Sequence, residues 1–245
     1  MAGIDGKMTI LAMDTATMTS SVAVATEERV LAELTAETCF THSETLVPHM
    51  DEVLRLADVK REELSAVAVS LGPGSFTGLR IGLAAAKAIA YALSIPLVGV
   101  PTLEVLAAAF PSPGPLIAPL IDAQKGNGYF ALYRFTENGL VCEKDVVVAS
   151  PQEIAAGIAG ENGPVILAGD FARKLAVKGI ALPKNATLAP ITHIMPRAAL
   201  VAARAVIRLK NGEGKSPMEL EPIYVRRSEA EVLWEKRHRE TEETP

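Results

Sequence analysis

The run Gly72-Pro73-Gly74-Ser75-Phe76-Thr77-Gly78-Leu79-Arg80-Ile81-Gly82 constrains this chain more than any other feature. Before it, residues 64–71 are apolar and β-rich; after it, small residues dominate through residue 93. Gly72 and Gly74 flank Pro73, so the backbone can bend sharply and leave room above the bend. Ser75 or Thr77 can cap the helix that follows. A buried strand turning tightly into a helix is a building block of α/β sheets. Free N–H groups at a helix start attract anions, which makes Gly72, Gly74 and Ser75 candidate nucleotide or phosphate contacts. The competing reading is a tight turn packed against the rest of the protein. No Gly-Lys-Ser or Gly-Lys-Thr follows, so the run is not a Walker loop.

The helix expected over residues 76–93 carries small residues at Gly78, Gly82, Ala85, Ala86, Ala88, Ala90 and Ala92. Large apolar residues (Leu79, Ile81, Leu83, Ile89, Leu93) lie around much of its circumference. Such a helix needs cover on more than one side. Its own sheet supplies one side; either a partner or the protein's interior supplies the other. The most apolar part, residues 83–93, contains Lys87 and reads as too short to span a bilayer. An earlier helix shows an apolar stripe at Leu46, Met50, Val53, Leu54 and Ala57, with Ser43 as its expected cap and Glu44 in its first turn. Pro48 either delays the regular helix to about Val47 or kinks it. The candidate partner interface is Leu46, Met50, Val53, Leu54, Leu79, Gly82, Leu83, Ala86, Ile89 and Ala90.

Around these helices the pattern predicts strands at residues 9–13, 21–25, 30–38, 64–71 and 95–100. Three antiparallel strands followed by crossovers give a mixed five-stranded sheet. Thr102 is the expected cap of a helix reaching Phe110. Pro111-Ser112-Pro113-Gly114-Pro115 then marks a boundary. Beyond it the pattern restarts, with strands at 116–121, 129–135 and 140–149, a helix at 151–159, a strand at 165–168 and a helix from Phe171. A last helix over 197–209 has Leu200, Val201, Arg204 and Ile207 in its register. The division expected is a first lobe at 8–110, a smaller lobe at 111–196, helix 197–209 packing back on the first lobe, and a charged tail at 210–245. Written from their aspartates, the segments beginning Met13-Asp14 and Ile121-Asp122 align without a gap. The repeat points to an internal duplication.

Chemistry-bearing residues are sparse. Asp14 and Asp122 end strands, where paired carboxylates can hold Mg²⁺ and a nucleotide, or can simply cap loops. His42, His49, His193 and His238 lie in four contexts without ligand spacing, so no metal site is expected. His42 and His49 are expected on a solvent or interface surface. Cys39 and Cys142 have no metal-like or framework spacing. The net charge of −5 argues against a chain that holds nucleic acid alone through a broad basic face. Arg226-Arg227 and the basic run at 236–239 are interleaved with glutamates and read as a solvated tail or helix rather than a nucleic-acid patch. The start of the chain does not read as a signal peptide, and the expected location is the cytoplasm.

Four blocks now carry a resemblance: residues 10–16, 72–90, 120–133 and 220–226, in that order. Together they resemble the bacterial TsaB (YeaZ) family over residues 8 to about 234. The resemblance implies two RNase H-like lobes of the actin, sugar-kinase and Hsp70 superfamily. It also implies an accessory role in making threonylcarbamoyladenosine beside the anticodon of tRNA. The expected partners are a catalytic paralogue, TsaD, as a heterodimer, and an ATPase, TsaE. A homodimer is expected when the partner is absent, and tRNA is engaged only indirectly. No tightly bound cofactor is expected; ATP or ADP would enter at the level of the complex. The catalytic paralogue carries His-x-x-x-His where Thr102 and Leu106 stand here. A leucine cannot bind a metal, so the chain reads as one that keeps the fold without the metal pair. The alternative is an ATP-dependent phosphotransferase of the same superfamily. A metallopeptidase fails on the missing ligand pair.

Overall fold

The computed structural model describes residues 7–37 and 41–226. Cys39, His238, Trp234 and the basic run at 236–239 lie outside the described residues, as do Thr38 and Arg227.

The first sheet is built from β1 (Thr9–Asp14), β2 (Thr19–Thr26), β3 (Val30–Glu37), β4 (Ala66–Gly72) and β5 (Leu97–Pro101). Its order is β3-β2-β1-β4-β5. β1 pairs antiparallel with β2 and parallel with β4. The second sheet holds β6 (Leu116–Asp122), β7 (Gly128–Thr136), β8 (Gly139–Ala149), β9 (Val165–Ala168) and β10 (Ala186–Leu188). Read from β8, its order is β8-β7-β6-β9-β10, the connectivity of the first sheet repeated. Asp14 and Asp122 are the last residues of the corresponding strands β1 and β6. The α/β class and the paired RNase H-like lobes are therefore as expected. β10, three residues long, escapes sequence pattern because so short a strand has no measurable period.

Helices cover both faces of each sheet. On the first, α1 (His42–Ala57) and α2 (Phe76–Leu93) pack with Leu11, Met13, Val67 and Val69. The opposite face, with Ile10, Ala12, Ala66 and Ala68, takes α6 (Ala198–Lys210). On the second sheet, α4 (Pro151–Ala159) and α5 (Asp170–Val177) cover Leu116, Leu120 and Leu167. Its other face receives α3 (Thr102–Ala107) with Ile117, Ile121 and Ala131. The helix that follows each sheet in sequence thus packs on the other sheet. Strands β1 and β4 are buried on both faces, which is why they read as continuous apolar runs.

Several local expectations change. Thr41, not Ser43, precedes α1, and the Glu44 carboxylate accepts from the Thr41 N–H at 2.9 Å. The helix starts at His42 and runs through Pro48. Pro101 precedes α3; the Thr102 hydroxyl is instead spent accepting from the Gly72 N–H at 3.1 Å. In α6 the buried stripe is Ala198, Val201, Ala202, Ala205 and Val206, while Ile207 is exposed. α2 spans 18 residues, so by length and composition alone it could cross a membrane, against the shorter expectation. Its stripe of Leu79, Leu83, Ala86 and Ala90 is buried within its own lobe, which makes it a core helix here.

Candidate functional site

Two surfaces compete for function: the turn between β4 and α2 with the cleft beside it, and the outer face of α1 and α2.

The turn is filled by the chain itself. The loop after β1 lies directly on it. The Ala16 carbonyl accepts from the Ser75 N–H at 2.7 Å, the position a phosphate oxygen would take. A Cβ on Gly74 would lie 2.3 Å from that carbonyl. Further along α2, a Cβ on Gly78 would lie 2.1 Å from the Thr15 carbonyl, and one on Gly82 would lie 2.2 Å from the Thr15 hydroxyl. The Thr15 hydroxyl donates to the Gly78 carbonyl at 2.7 Å. The glycines of α2 thus admit the chain's own loop rather than a partner helix. The Gly72 N–H is also occupied, by Thr102. The Gly72 and Ser75 N–H groups are thus satisfied within the chain, while Gly74 and Ser75 line the same cleft as Asp122.

Asp14 is sealed beneath this loop with no exposed surface. Its Oδ1 accepts from the Ala16 N–H at 3.1 Å, while Oδ2 has no hydrogen-bond partner among the described residues. Burial pushes its pKa up to about 6, against the partial pull of the Ser70 hydroxyl and the Ala16 N–H. Asp122 sits elsewhere. It lines a cleft of about 310 Å³ between the lobes with Thr17, Ser75, Thr77, Tyr129, Asp170 and Lys174. Lys174 Nζ donates to Asp122 at 2.5 Å, and Asp170 accepts from the Asp122 N–H at 3.1 Å. Burial raises the Asp170 pKa despite that hydrogen bond. Of the two strand-end aspartates, Asp122 lines the cleft and Asp14 lies buried behind the loop that does. Among the described residues no three His, Cys, Asp or Glu side chains are grouped to hold a metal.

His42 and His49 stay partly exposed, and each also reaches inward to one polar group. His42 Nε2 lies 2.7 Å from the Thr17 carbonyl, and His49 Nδ1 lies 3.2 Å from the Ser20 hydroxyl. They pin α1 to the loop and to β2. Burial lowers the His49 pKa. Thr102 and Leu106 are fully buried, Leu106 in the core of the second sheet.

The helical face offers a more open surface. Between α1 and α2 runs an apolar groove of about 450 Å³, lined by Val47, Met50, Leu54, Ala85, Ala88 and Ile89 among others. Asp51, Arg61 and Glu62 mark its polar rim, with Arg61 donating to Asp51 at 2.5 Å. Of the ten expected interface residues, Met50, Leu54 and Ile89 line this groove. The other seven, Leu46, Val53, Leu79, Gly82, Leu83, Ala86 and Ala90, are buried inside the lobe. The division has a physical cause. An apolar stripe first satisfies the sheet of its own chain, and only the neighbouring stripe stays free. Val47, Ala85 and Ala88 belong to that neighbouring stripe, and their spacing against Leu54 and Ile89 was the available signal. Lys174, Asp170 and Tyr129 were missed because two elements far apart in sequence, β7 and α5, bring them beside Asp122.

The chain was compared with known proteins. A family model described as "TsaD: tRNA N6-adenosine threonylcarbamoyltransferase" matches residues 30–232. A curated relative from Bacillus subtilis, named tRNA threonylcarbamoyladenosine biosynthesis protein TsaB, is 33% identical over 93% of this chain and 98% of its own. The relative of that name from Escherichia coli is 30% identical over 94% of this chain and 98% of its own. Among solved structures, YeaZ from Pseudomonas aeruginosa superposes with a TM-score of 0.77 at 25% identity, covering 89% of this chain and 99% of its own. On these likenesses over most of its length, the chain belongs to the TsaB (YeaZ) family.

Proposed function

We propose that this chain is a scaffold subunit for threonylcarbamoylation of adenosine in tRNA, contributing a docking face rather than a catalytic group. In this reading a TsaD-like paralogue docks on the outer face of α1 and α2 and performs the transfer. A TsaE-like ATPase joins the pair, and ATP or ADP enters only with the complex. The tRNA is reached through the partner, in the cytoplasm. Two chains pair through the same face when the partner is absent.

The groove between α1 and α2 is the observation that carries this reading. It is apolar, open and rimmed by charge, the anatomy of a protein–protein contact. Ala88 is exposed and lines it, so Ala88→Glu places a charge in the contact without touching the core. The expected outcome is a folded monomer by circular dichroism that no longer co-elutes with the purified TsaD-like partner. Undiminished co-elution would sink the assignment of the face. Reconstituted tRNA modification, with and without this chain, tests the role itself; equal modification in its absence would refute it.

A phosphotransferase reading draws no support from the turn, where Ala16 holds the place of phosphate. Calorimetry with Mg·ATP on the isolated chain should give no heat of binding.

A further inference from the structure

After α6 the chain returns along the edge of the first sheet and then leaves it. Leu97 and Lys215 exchange both backbone hydrogen bonds, each at 3.0 Å. Leu220 is buried in the core beneath α1 and α2. Residues 221–226 then run without helix or sheet past the end of β4 and bend at Val225 and Arg226. The Ile223 N–H donates to the Leu71 carbonyl at 2.7 Å. A Cβ on Gly72 would lie 2.8 Å from the Ile223 carbonyl, so the segment is seated tightly on the glycine turn.

The next three residues change partners one by one. Tyr224 stacks on Phe76, the first residue of α2, with ring centroids 5.1 Å apart. Arg80 Nε donates to the Tyr224 hydroxyl at 3.0 Å, and its guanidinium lies 3.9 Å from the centre of the Phe76 ring. Val225 packs with the core of the second sheet. Arg226 Nη1 donates to the Ala123 carbonyl at 2.8 Å, in the loop between β6 and β7. One short segment therefore begins in the first lobe and ends in the second. Ile223, Tyr224 and Arg226 also line the inter-lobe cleft beside Asp122 and Lys174.

The anchorage is unequal. The first-lobe end has a buried leucine, a backbone hydrogen bond and an aromatic stack. Among the described residues, the second-lobe end has a valine contact and one charge-assisted hydrogen bond to a loop carbonyl. Away from this segment, α3 joins the lobes by packing against β4 and β5 on one side and β6, β7 and β8 on the other.

We infer that residues 220–226 form a latch across the inter-lobe cleft, permanently fixed to the first lobe and releasable from the second at Arg226. Held, it keeps the cleft narrow around the Asp122–Lys174 pair and ties the first turn of α2 to the second lobe. Released, it opens the cleft on this side, with the lobes still joined through α3, and admits solvent to Asp122 and Asp170. The inference rests on the fold alone and does not depend on the function proposed above.

Amide hydrogen exchange of the full chain, resolved by peptide, tests it with Arg226→Ala. The expected result is local: exchange in residues 123–127 and 223–226 rises roughly ten- to a hundredfold, the shift in a local opening equilibrium from losing one charge-assisted hydrogen bond. Strands β1, β4 and β6 keep their protection. Arg226→Lys, which retains a donor, restores part of the protection. Tyr224→Ala loosens 223–226 from α2 as well. Unchanged exchange in 123–127 would overturn the latch, and so would a uniform rise across both sheets, which would mark the segment as ordinary core.

Discussion

At the residue scale, Asp14 is a liability that the fold retains. Its carboxyl has a folded pKa raised to about 6 from 3.8. A raised carboxyl pKa means the folded state holds its proton more tightly than the unfolded chain. The associated stability is complete below the unfolded value and is lost as pH rises through about 6. Two pKa units correspond to about 3 kcal/mol. Asp14→Asn removes the charge, keeps an oxygen for the Ala16 N–H and offers an amide donor on the side where Oδ2 is unpaired. The variant is expected to be more stable than the parent by about 1–3 kcal/mol at pH 8 and to lose that advantage near pH 4, as read by urea unfolding at both pH values. An advantage independent of pH would show that ionisation of Asp14 is not the cause. Gly78 makes the opposite case. Gly78→Ala improves helix propensity by about 1 kcal/mol. It also drives a Cβ to 2.1 Å from the Thr15 carbonyl, a backbone atom that cannot turn aside. A net loss of about 2–3 kcal/mol is expected, measured as a lower denaturation midpoint.

At the scale of elements, the exchange of α3 and α6 between sheets is what makes two lobes one molecule. The two helices meet through Glu104, whose oxygens accept from Arg204 Nε and Arg208 Nη2, both at 2.7 Å. Arg208 also reaches Glu213 at 2.8 Å. All three side chains of the Glu104 triad are largely buried. Removing Glu104 leaves Arg204 without its partner in a poorly hydrated place and Arg208 with Glu213 alone. Glu104→Ala is expected to cost about 3 kcal/mol. Replacing Arg208 alone is expected to cost less, because Arg204 then still pairs with Glu104. Chemical denaturation of both variants checks the order, and a smaller loss for Glu104→Ala would contradict it. The same reasoning explains α2. Its apolar residues lie nearly all round because one side meets the sheet and loop while another faces the groove beside α1.

For the whole molecule, the proposed docking face is apolar at its centre and charged only at its rim. Association through it is expected to depend weakly on salt and to show a negative heat-capacity change, by calorimetry at several temperatures and salt concentrations. A steep loss of affinity with salt would point to the charged rim, or another surface, as the main contact.

Sequence pattern alone was enough for the order of strands and helices, the restart after residue 115 and the kinship of Asp14 with Asp122. Those features are written in local periods of two and of 3.6, and in glycine and proline punctuation, all of which act over a few residues. The same pattern could say that α2 needs cover on two sides, but not which residue faces which cover. Leu79 and Ala88 are both apolar or small; only packing put the first in the core and the second on the groove. The glycines were legible as a demand for close approach. Their partner, a loop some sixty residues earlier in the chain, was not. Nor could spacing show that Ala16 fills the place of phosphate, that β10 completes the second sheet or that Tyr224 and Arg226 bridge two lobes. Each of these is a contact between residues far apart in sequence, and tertiary structure decides it because it is set by how whole elements fit, not by any local preference.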